Sequence, residues 1–329
     1  MSGHLLQSIR PYNINMVGTT AELPGAHTGK EVSAFIFNIM RFATHDGPGI
    51  RTTVFFKGCP LSCWWCHNPE SQSFLPDRLY FEERCRHCLD CAAVCPQHAI
   101  HDINGFVSTS DACDYCGQCT KICMTEARQI AGQRYTVAEL MAEVEKDVVF
   151  FDDSGGGVTL SGGEPLSQPF FVAAFLSACR ERGIGTVIET CGFAQPEIFV
   201  NPALLADQIL FDLKLVDSEK HRLHTGVPND LILRNLEALI ARDRAVTVRI
   251  PVVPGINDGD ADIAQFAAYL GKLRPRQVEL LPYHRIGTDK YRRLGMHYKL
   301  NETPQPAPAD LERFRDVLTR AGLHVTVGG

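Results

Sequence analysis

Short runs of β-branched and aromatic residues recur along the chain: TTVFFK (52–57), GVTL (157–160), GTVIE (185–189), QILFDL (208–213), VTVRI (246–250) and QVELL (277–281). Unbroken apolar runs of roughly four to eight residues suit strands covered on both faces. Between the later runs lie stretches of helical period, such as PFFVAAFLSACRER (169–182) and LILRNLEALIARD (231–243). TVAELMAEVEKD (136–147) is another, with Thr136 as N-cap and Glu139 in place to complete a capping box. Strands that alternate with helices predict a parallel sheet with right-handed crossovers. Six such strands fit either part of an α/β barrel or an open doubly wound sheet, and periodicity does not choose between them.

Three segments break the pattern. Residues 1–33 mix Gly, Pro, Thr and Asn without period and read as a loose extension, with the first strand starting near Ala34. A translation start at Met16 would remove nothing structural. TPQPAPAD (303–310) is a Pro-rich connector into a last helix. Residues 80–131 are cysteine-dense and lack long apolar periodicity, so this stretch reads as an insert held together by metal.

The composition narrows the class. A chain of 329 residues allows two or three domains, and 45% hydrophobic with 21% charged residues excludes a mainly disordered protein. The net charge of −6 does not indicate a basic nucleic-acid surface. No apolar run approaches the ~18 residues of a membrane span, and no secretory h-region stands near Met1. Thirteen clustered cysteines in such a chain point to metal ligands in a cytoplasmic protein.

The loop GCPLSCWWCHN spaces Cys59, Cys63 and Cys66 as C-x3-C-x2-C. Three thiolates on one tight loop can bind three irons of a 4Fe–4S cube and leave the fourth iron open to a substrate. A zinc site completed by His67 is the alternative that spacing leaves open. The insert carries Cys85-x2-Cys88-x2-Cys91-x3-Cys95 and then Cys113-x2-Cys116-x2-Cys119-x3-Cys123. In such bacterial ferredoxin runs the fourth cysteine serves the other cluster. Cys85, Cys88, Cys91 and Cys123 are therefore assigned to one cluster, and Cys113, Cys116, Cys119 and Cys95 to the second. Proline follows the fourth cysteine once, as Pro96, while position 124 is Met. Paired zinc knuckles are the alternative. Cys179 and Cys191 are read as packing residues.

HDGPGIRTTVFFKGCPLSCWWCHNPE (45–70) resembles radical SAM enzymes, and its DGPGIR segment narrows the likeness to activating enzymes of glycyl radical enzymes. SGGGVTLSGGEP (154–165), ETCGF (189–193), DLK (212–214), RIPVVPG (249–255) and LPYHRIGTDKYRRLG (281–295) extend it over residues 34–327. The resemblance implies a partial (β/α)6 barrel interrupted by a ferredoxin-like insert. Residues 34–79 would begin the barrel with its cysteine loop, 80–131 would form the insert with two 4Fe–4S clusters, and 132–329 would complete the barrel. Inserts of this kind occur in activators of decarboxylases, dehydratases and C–N, C–S or C–C lyases; the pyruvate formate-lyase activator lacks one.

By the same resemblance, S-adenosylmethionine would chelate the open iron, making three 4Fe–4S clusters in all. Gly162, Gly163 and Glu164 would receive its amino group, the glycines because backbone must approach the ligand closely. Trp65, Cys66 and His67 would line the adenine side. Asp212, Leu213 and Lys214 would hold the ribose and carboxylate region, with Arg249 and His284 closing the pocket. In the pyruvate formate-lyase activator two aspartates and a threonine also bind a monovalent cation; here Glu189 replaces the first aspartate, with Thr190 and Asp212 retained. The implied partner is a glycyl radical enzyme, met by Asp46, Lys290 and Tyr291, with flavodoxin or ferredoxin as electron donor. Hydrogen-atom transfer needs no general base and none is assigned. A maturase that oxidises a Cys or Ser side chain, or a polyferredoxin carrier, would be the rival.

Overall fold

The computed structural model describes residues 32–103, 106–242 and 245–328. The extension expected over 1–33 lies, up to residue 31 and including Met16, outside the described residues, as does residue 243 at the end of one expected helix. The strands are β1 (Ser33–Ala43), β2 (Arg51–Phe56), β3 (Asp77–Tyr80), β4 (Ile100–Ile103), β5 (Phe106–Thr109), β6 (Arg128–Ala131), β7 (Gln133–Thr136), β8 (Gly157–Gly162), β9 (Thr186–Thr190), β10 (Gln208–Asp212), β11 (Val246–Val252), β12 (Gln277–Pro282) and β13 (Val325–Val327).

Nine of these form one sheet in the order β13-β12-β11-β10-β9-β8-β2-β1-β7. Every neighbouring pair from β2 through β13 is parallel. All six strands expected from the apolar runs are here, adjacent and in chain order. A doubly wound sheet would reverse its strand order at a switch point, and this one does not. The winding is that of a barrel, and β13 and β7 are its unjoined edges. β1 and β7 add an antiparallel margin that the apolar runs did not indicate beyond the start of β1.

The helix-facing apolar residues of these strands and the buried faces of the helices make one continuous core, which includes Val54, Leu160, Ile188, Phe211, Val248 and Leu280 of successive strands. Helix Val137–Val144 begins with the expected capping box: Thr136 Oγ1 accepts from Glu139 N–H at 3.2 Å, and Glu139 Oε2 accepts from Thr136 N–H at 2.8 Å. The Pro-rich connector leads into helix Pro308–Arg320 with proline at its first turn, where a missing N–H costs nothing.

The cysteine-dense stretch leaves the barrel through β3 and returns through β6, which pair antiparallel from Asp77↔Ala131 to Tyr80↔Arg128. Its two halves repeat one backbone course. Left-handed residues occur two places after the first cysteine (His87, Tyr115), one after the second (Leu89, Gly117) and three after the fourth (His98, Glu126). These turns aim amides at sulfur: His87 N–H lies 3.5 Å from Cys85 Sγ, and Tyr115 N–H lies 3.4 Å from Cys113 Sγ. Successive amides turned inward in this way make a concave site for an anionic group. The β4–β5 hairpin joins the halves.

Candidate active site

Polar clusters collect where the parallel strands end, the edge at which α/β folds build sites. The cysteine loop leaves β2 through Lys57, whose ammonium is fully buried. It donates to the Glu70 carbonyl at 2.6 Å and pairs with Asp77 at 2.6 Å, so one side chain ties the two ends of the loop. The loop is pinned on three further sides. Gly58 N–H donates to the Ser71 carbonyl at 2.7 Å, Ser62 N–H to Thr225 at 2.7 Å and Trp64 N–H to His224 at 3.0 Å. Tyr291 Oη donates to the Cys66 carbonyl at 3.0 Å, and Lys290 Nζ reaches Glu70 Oε1 and Asn68 Oδ1, each at 2.7 Å. Tyr291 and Lys290 thus brace this loop. Asp46 accepts from Thr53 Oγ1 at 2.5 Å.

Burial pushes the Cys66 thiol up to about 11 and raises Cys63 as well. At neutral pH such thiols ionise only with a soft cation to hold the thiolate. Among the described residues no three Cys, His, Asp or Glu side chains converge tightly enough to chelate one metal ion.

β8 delivers Gly162 and Gly163 against that loop. Gly163 N–H donates to the Phe56 carbonyl and Glu164 N–H to the Gly58 carbonyl, each at 2.8 Å. A Cβ on Gly162 would sit 2.4 Å from Phe56 N, and one on Gly163 would sit 2.5 Å from the Gly58 oxygen. Gly162 is thus required by close contact with β2, and Gly163 by contact with the cysteine loop. Glu164 is fully buried and turned inward. Oε1 accepts from Leu166 N–H at 3.0 Å and Thr190 Oγ1 at 2.8 Å, and Oε2 accepts from Cys191 N–H at 2.7 Å.

Along β9, β10 and β11 runs a chain of charge, continued by Lys214 just after β10. Glu189 accepts from Ser161 Oγ and pairs with the Arg249 guanidinium. Arg249 Nε lies 3.1 Å from Asp212 Oδ1, and Lys214 Nζ lies 3.3 Å from Asp212 Oδ2. Burial disfavours the Lys214 cation, but the Asp212 carboxylate beside it, with any thiolate held at Cys63, Cys191 or Cys59, outweighs this and holds it well above its ordinary value. Leu213 points into the apolar core and only carries its neighbours to the edge. Trp65 is buried with Leu215, Val253, Ile256 and Tyr283 beneath the cysteine loop. His67 stacks on His284 with ring centroids 4.1 Å apart, and the buried His284 Nδ1 has no protein partner. Gly287 allows this approach, since its Cβ would lie 3.2 Å from the His67 backbone.

Cys191, read from sequence as packing, is buried at this edge with its thiol against the Cys59 sulfur. Its place directly after a strand end was the signal. Asn235, with no motif to mark it, fixes the same loop by donating to the Gly192 and Ala194 carbonyls at 2.8 Å each. In the insert, Cys95 of the first run and Cys113, Cys116 and Cys119 of the second line one cavity with Arg78, Tyr115 and Arg128.

The donor sets suit iron–sulfur clusters, and the unpartnered His284 nitrogen, on the ring stacked against His67 of the cysteine loop, suits a polar ligand held over such a cluster. Family models agree. That of the radical SAM superfamily matches residues 109–267, that of a 4Fe-4S single cluster domain 45–94, and that of a 4Fe-4S dicluster domain 79–132. The chain is 40% identical to the trans-4-hydroxy-L-proline dehydratase activating enzyme of Clostridioides difficile, over 91% of this chain and 100% of that one. It is 41% identical to the choline trimethylamine-lyase activating enzyme of Oleidesulfovibrio alaskensis, over 90% and 98%. It is 40% identical to the benzylsuccinate synthase activating enzyme of Thauera aromatica, over 89% and 92%. Cysteine loop, barrel edge and insert belong together in one lineage: the chain is a member of the glycyl radical enzyme activating enzymes of the radical SAM superfamily.

Proposed function

We propose that Cys59, Cys63 and Cys66 hold the catalytic 4Fe–4S cluster, and that residues 80–131 hold two more as a ferredoxin-like insert within the barrel. One set is Cys85, Cys88, Cys91 and Cys123; the other is Cys95, Cys113, Cys116 and Cys119. The catalytic cluster supplies the electron that splits S-adenosylmethionine into methionine and a 5′-deoxyadenosyl radical. That radical takes a hydrogen atom from a backbone glycine of the partner, a glycyl radical enzyme. The observation that carries the reading is the contact of Glu164 N–H with the Gly58 carbonyl at 2.8 Å, which joins the end of β8 to the cysteine loop.

The chain's residues bind and orient. The carbonyls of Gly162 and Gly163 serve the amino group, because both Glu164 oxygens are already engaged within the protein. Asp212 and Lys214 hold the ribose and carboxylate region, Arg249 and Glu189 keep Asp212 in place, and Cys66, His67 and His284 face the adenine over the Trp65 base. Arg249 spans Glu189 and Asp212, so a guanidinium supplies the positive charge there without a separate monovalent cation. Flavodoxin or ferredoxin is the donor. The partner is a decarboxylase, dehydratase or lyase of the group that insert-bearing activators serve.

Replacing Cys59, Cys63 and Cys66 together by alanine should remove one of three clusters, about four of about twelve irons. All SAM cleavage should go with it while the insert keeps its iron. With the intact enzyme, deuterium at the partner's target glycine should appear in 5′-deoxyadenosine. Cleavage that survives the triple change, or turnover without label transfer to a folded partner, rejects the reading.

A further inference from the structure

Phe81 follows β3 at the edge of the insert and is buried between two guanidinium groups. Arg84 lies 4.3 Å from its ring centroid on the insert side, and Arg293 lies 4.5 Å away from the barrel side. The Arg293 Nε is buried without a hydrogen-bond partner, so the ring face is its contact. Arg292 adds an ion-pair contact to Glu83 at 3.8 Å. Both arginines belong to helix Thr288–Arg293, whose Tyr291 and Lys290 hold the Cys66 carbonyl, Glu70 and Asn68. One short helix therefore grips the catalytic loop with two residues and the insert with the next two.

The insert cysteines on its side of the joint are identifiable. Arg84 N–H donates to the Phe81 carbonyl at 3.1 Å and Cys85 N–H to the Glu82 carbonyl at 3.0 Å, so Cys85 leaves directly from the joint. Phe81 N–H donates to the Ala127 carbonyl at 2.8 Å, and Glu126 N–H to the Cys123 carbonyl at 3.0 Å, which brings the fourth member of the same set there. The Cys95, Cys113, Cys116 and Cys119 cavity is lined by Ile100 and Thr109 of the β4–β5 hairpin and by Arg78, Leu79, Arg128, Gln129 and Ile130 of β3 and β6, and none of its lining residues is Phe81, Arg84 or Cys85.

We propose that helix Thr288–Arg293 is the electron bridge between insert and catalytic loop, with the Cys85, Cys88, Cys91 and Cys123 cluster next to the catalytic one and the Cys95, Cys113, Cys116 and Cys119 cluster as the point of entry. The proposal rests on the cluster assignments of the preceding section. With clusters held by these cysteines, one electron from a low-potential one-electron donor would enter at the Cys95, Cys113, Cys116 and Cys119 set, would pass through the Cys85, Cys88, Cys91 and Cys123 set to the one held by Cys59, Cys63 and Cys66, and would be consumed as the C–S bond of S-adenosylmethionine breaks. No proton moves along the route.

The test is microwave power saturation of the reduced catalytic cluster's electron paramagnetic resonance in dithionite-reduced holoenzyme, with iron counted in each variant. C85S/C88S should slow its spin relaxation, because a nearby paramagnet is lost, whereas C113S/C116S should leave it close to wild type. The reverse order, or no change in either variant, overturns the proposal. R293A keeps every cysteine and should slow electron delivery from reduced flavodoxin, with R293K restoring part of it; unchanged delivery in R293A also overturns the proposal, including where a cysteine pair takes both insert clusters with it. The relaxation order does not need SAM cleavage, so absence of 5′-deoxyadenosine with the expected order tells against the functional reading alone.

Discussion

His221 shows how a residue outside every motif supports the site. It is fully buried on helix Ser218–Thr225, and its Nδ1–H donates to the Val227 carbonyl at 2.7 Å. Thr225, at the end of that helix, gives its carbonyl to Ser62 of the cysteine loop. Burial pushes His221 down to about 4. The unfolded chain takes up this proton near pH 6.5 and the folded one resists until about 4. Its contribution is therefore whole above pH 6.5 and is lost as pH falls through that window, by about 3 kcal/mol at most. Anaerobic urea midpoints should drop between pH 7 and 4.5, and His221→Gln, which keeps a donor to Val227, should show a shallower drop. Equal slopes would remove His221 as the cause. Such a residue was illegible in the sequence because a lone histidine carries no spacing signal, whereas the cysteines and GGE did.

Where elements meet, the glycines separate two physical roles. Gly163 lets the end of β8 touch the cysteine loop, and Gly155 ends helix Val148–Ser154 in a left-handed turn with open space around it. Gly163→Ala places a methyl group against backbone that cannot yield, a cost of about 1–3 kcal/mol with displacement of the loop. Gly155→Ala costs about 1 kcal/mol through backbone conformation alone. Gly163→Ala should therefore lose catalytic-loop iron and SAM affinity, while Gly155→Ala should keep both at a slightly lower melting temperature. Equal iron and SAM binding in the two variants would show that the β8–loop contact does not organise the site. The motif marked Gly163 as important; that its neighbour is protein backbone emerged only once β2 and β8 lay side by side.

For the molecule as a whole, the chain enters and leaves the insert at one narrow place. Tyr80 and Arg128 are directly paired, so residues 81–127 leave and return across one antiparallel rung of about 5 Å. Replacing 81–127 with a short hairpin turn should leave a barrel that folds cooperatively and binds about four irons and SAM. Reduction by a protein donor should be lost with the insert. A product that does not fold, or that holds no iron, would show that the barrel needs the insert for its structure.

The sequence alone determined the class of chemistry, the six parallel strands and the spacing of the cysteine runs, because apolar period and ligand spacing are local properties written within a few residues. It left open barrel against doubly wound sheet on periodicity, since both arise from the same alternation and differ only in which strands become neighbours. Tertiary structure decided that order. It also turned Glu164 inward, sent Leu213 to the core, set Cys191 against Cys59, and bonded Tyr291 to the cysteine loop. Each of those outcomes depends on where a side chain points after distant segments have packed, and on which buried polar atoms then find a partner. Spacing carries no record of either.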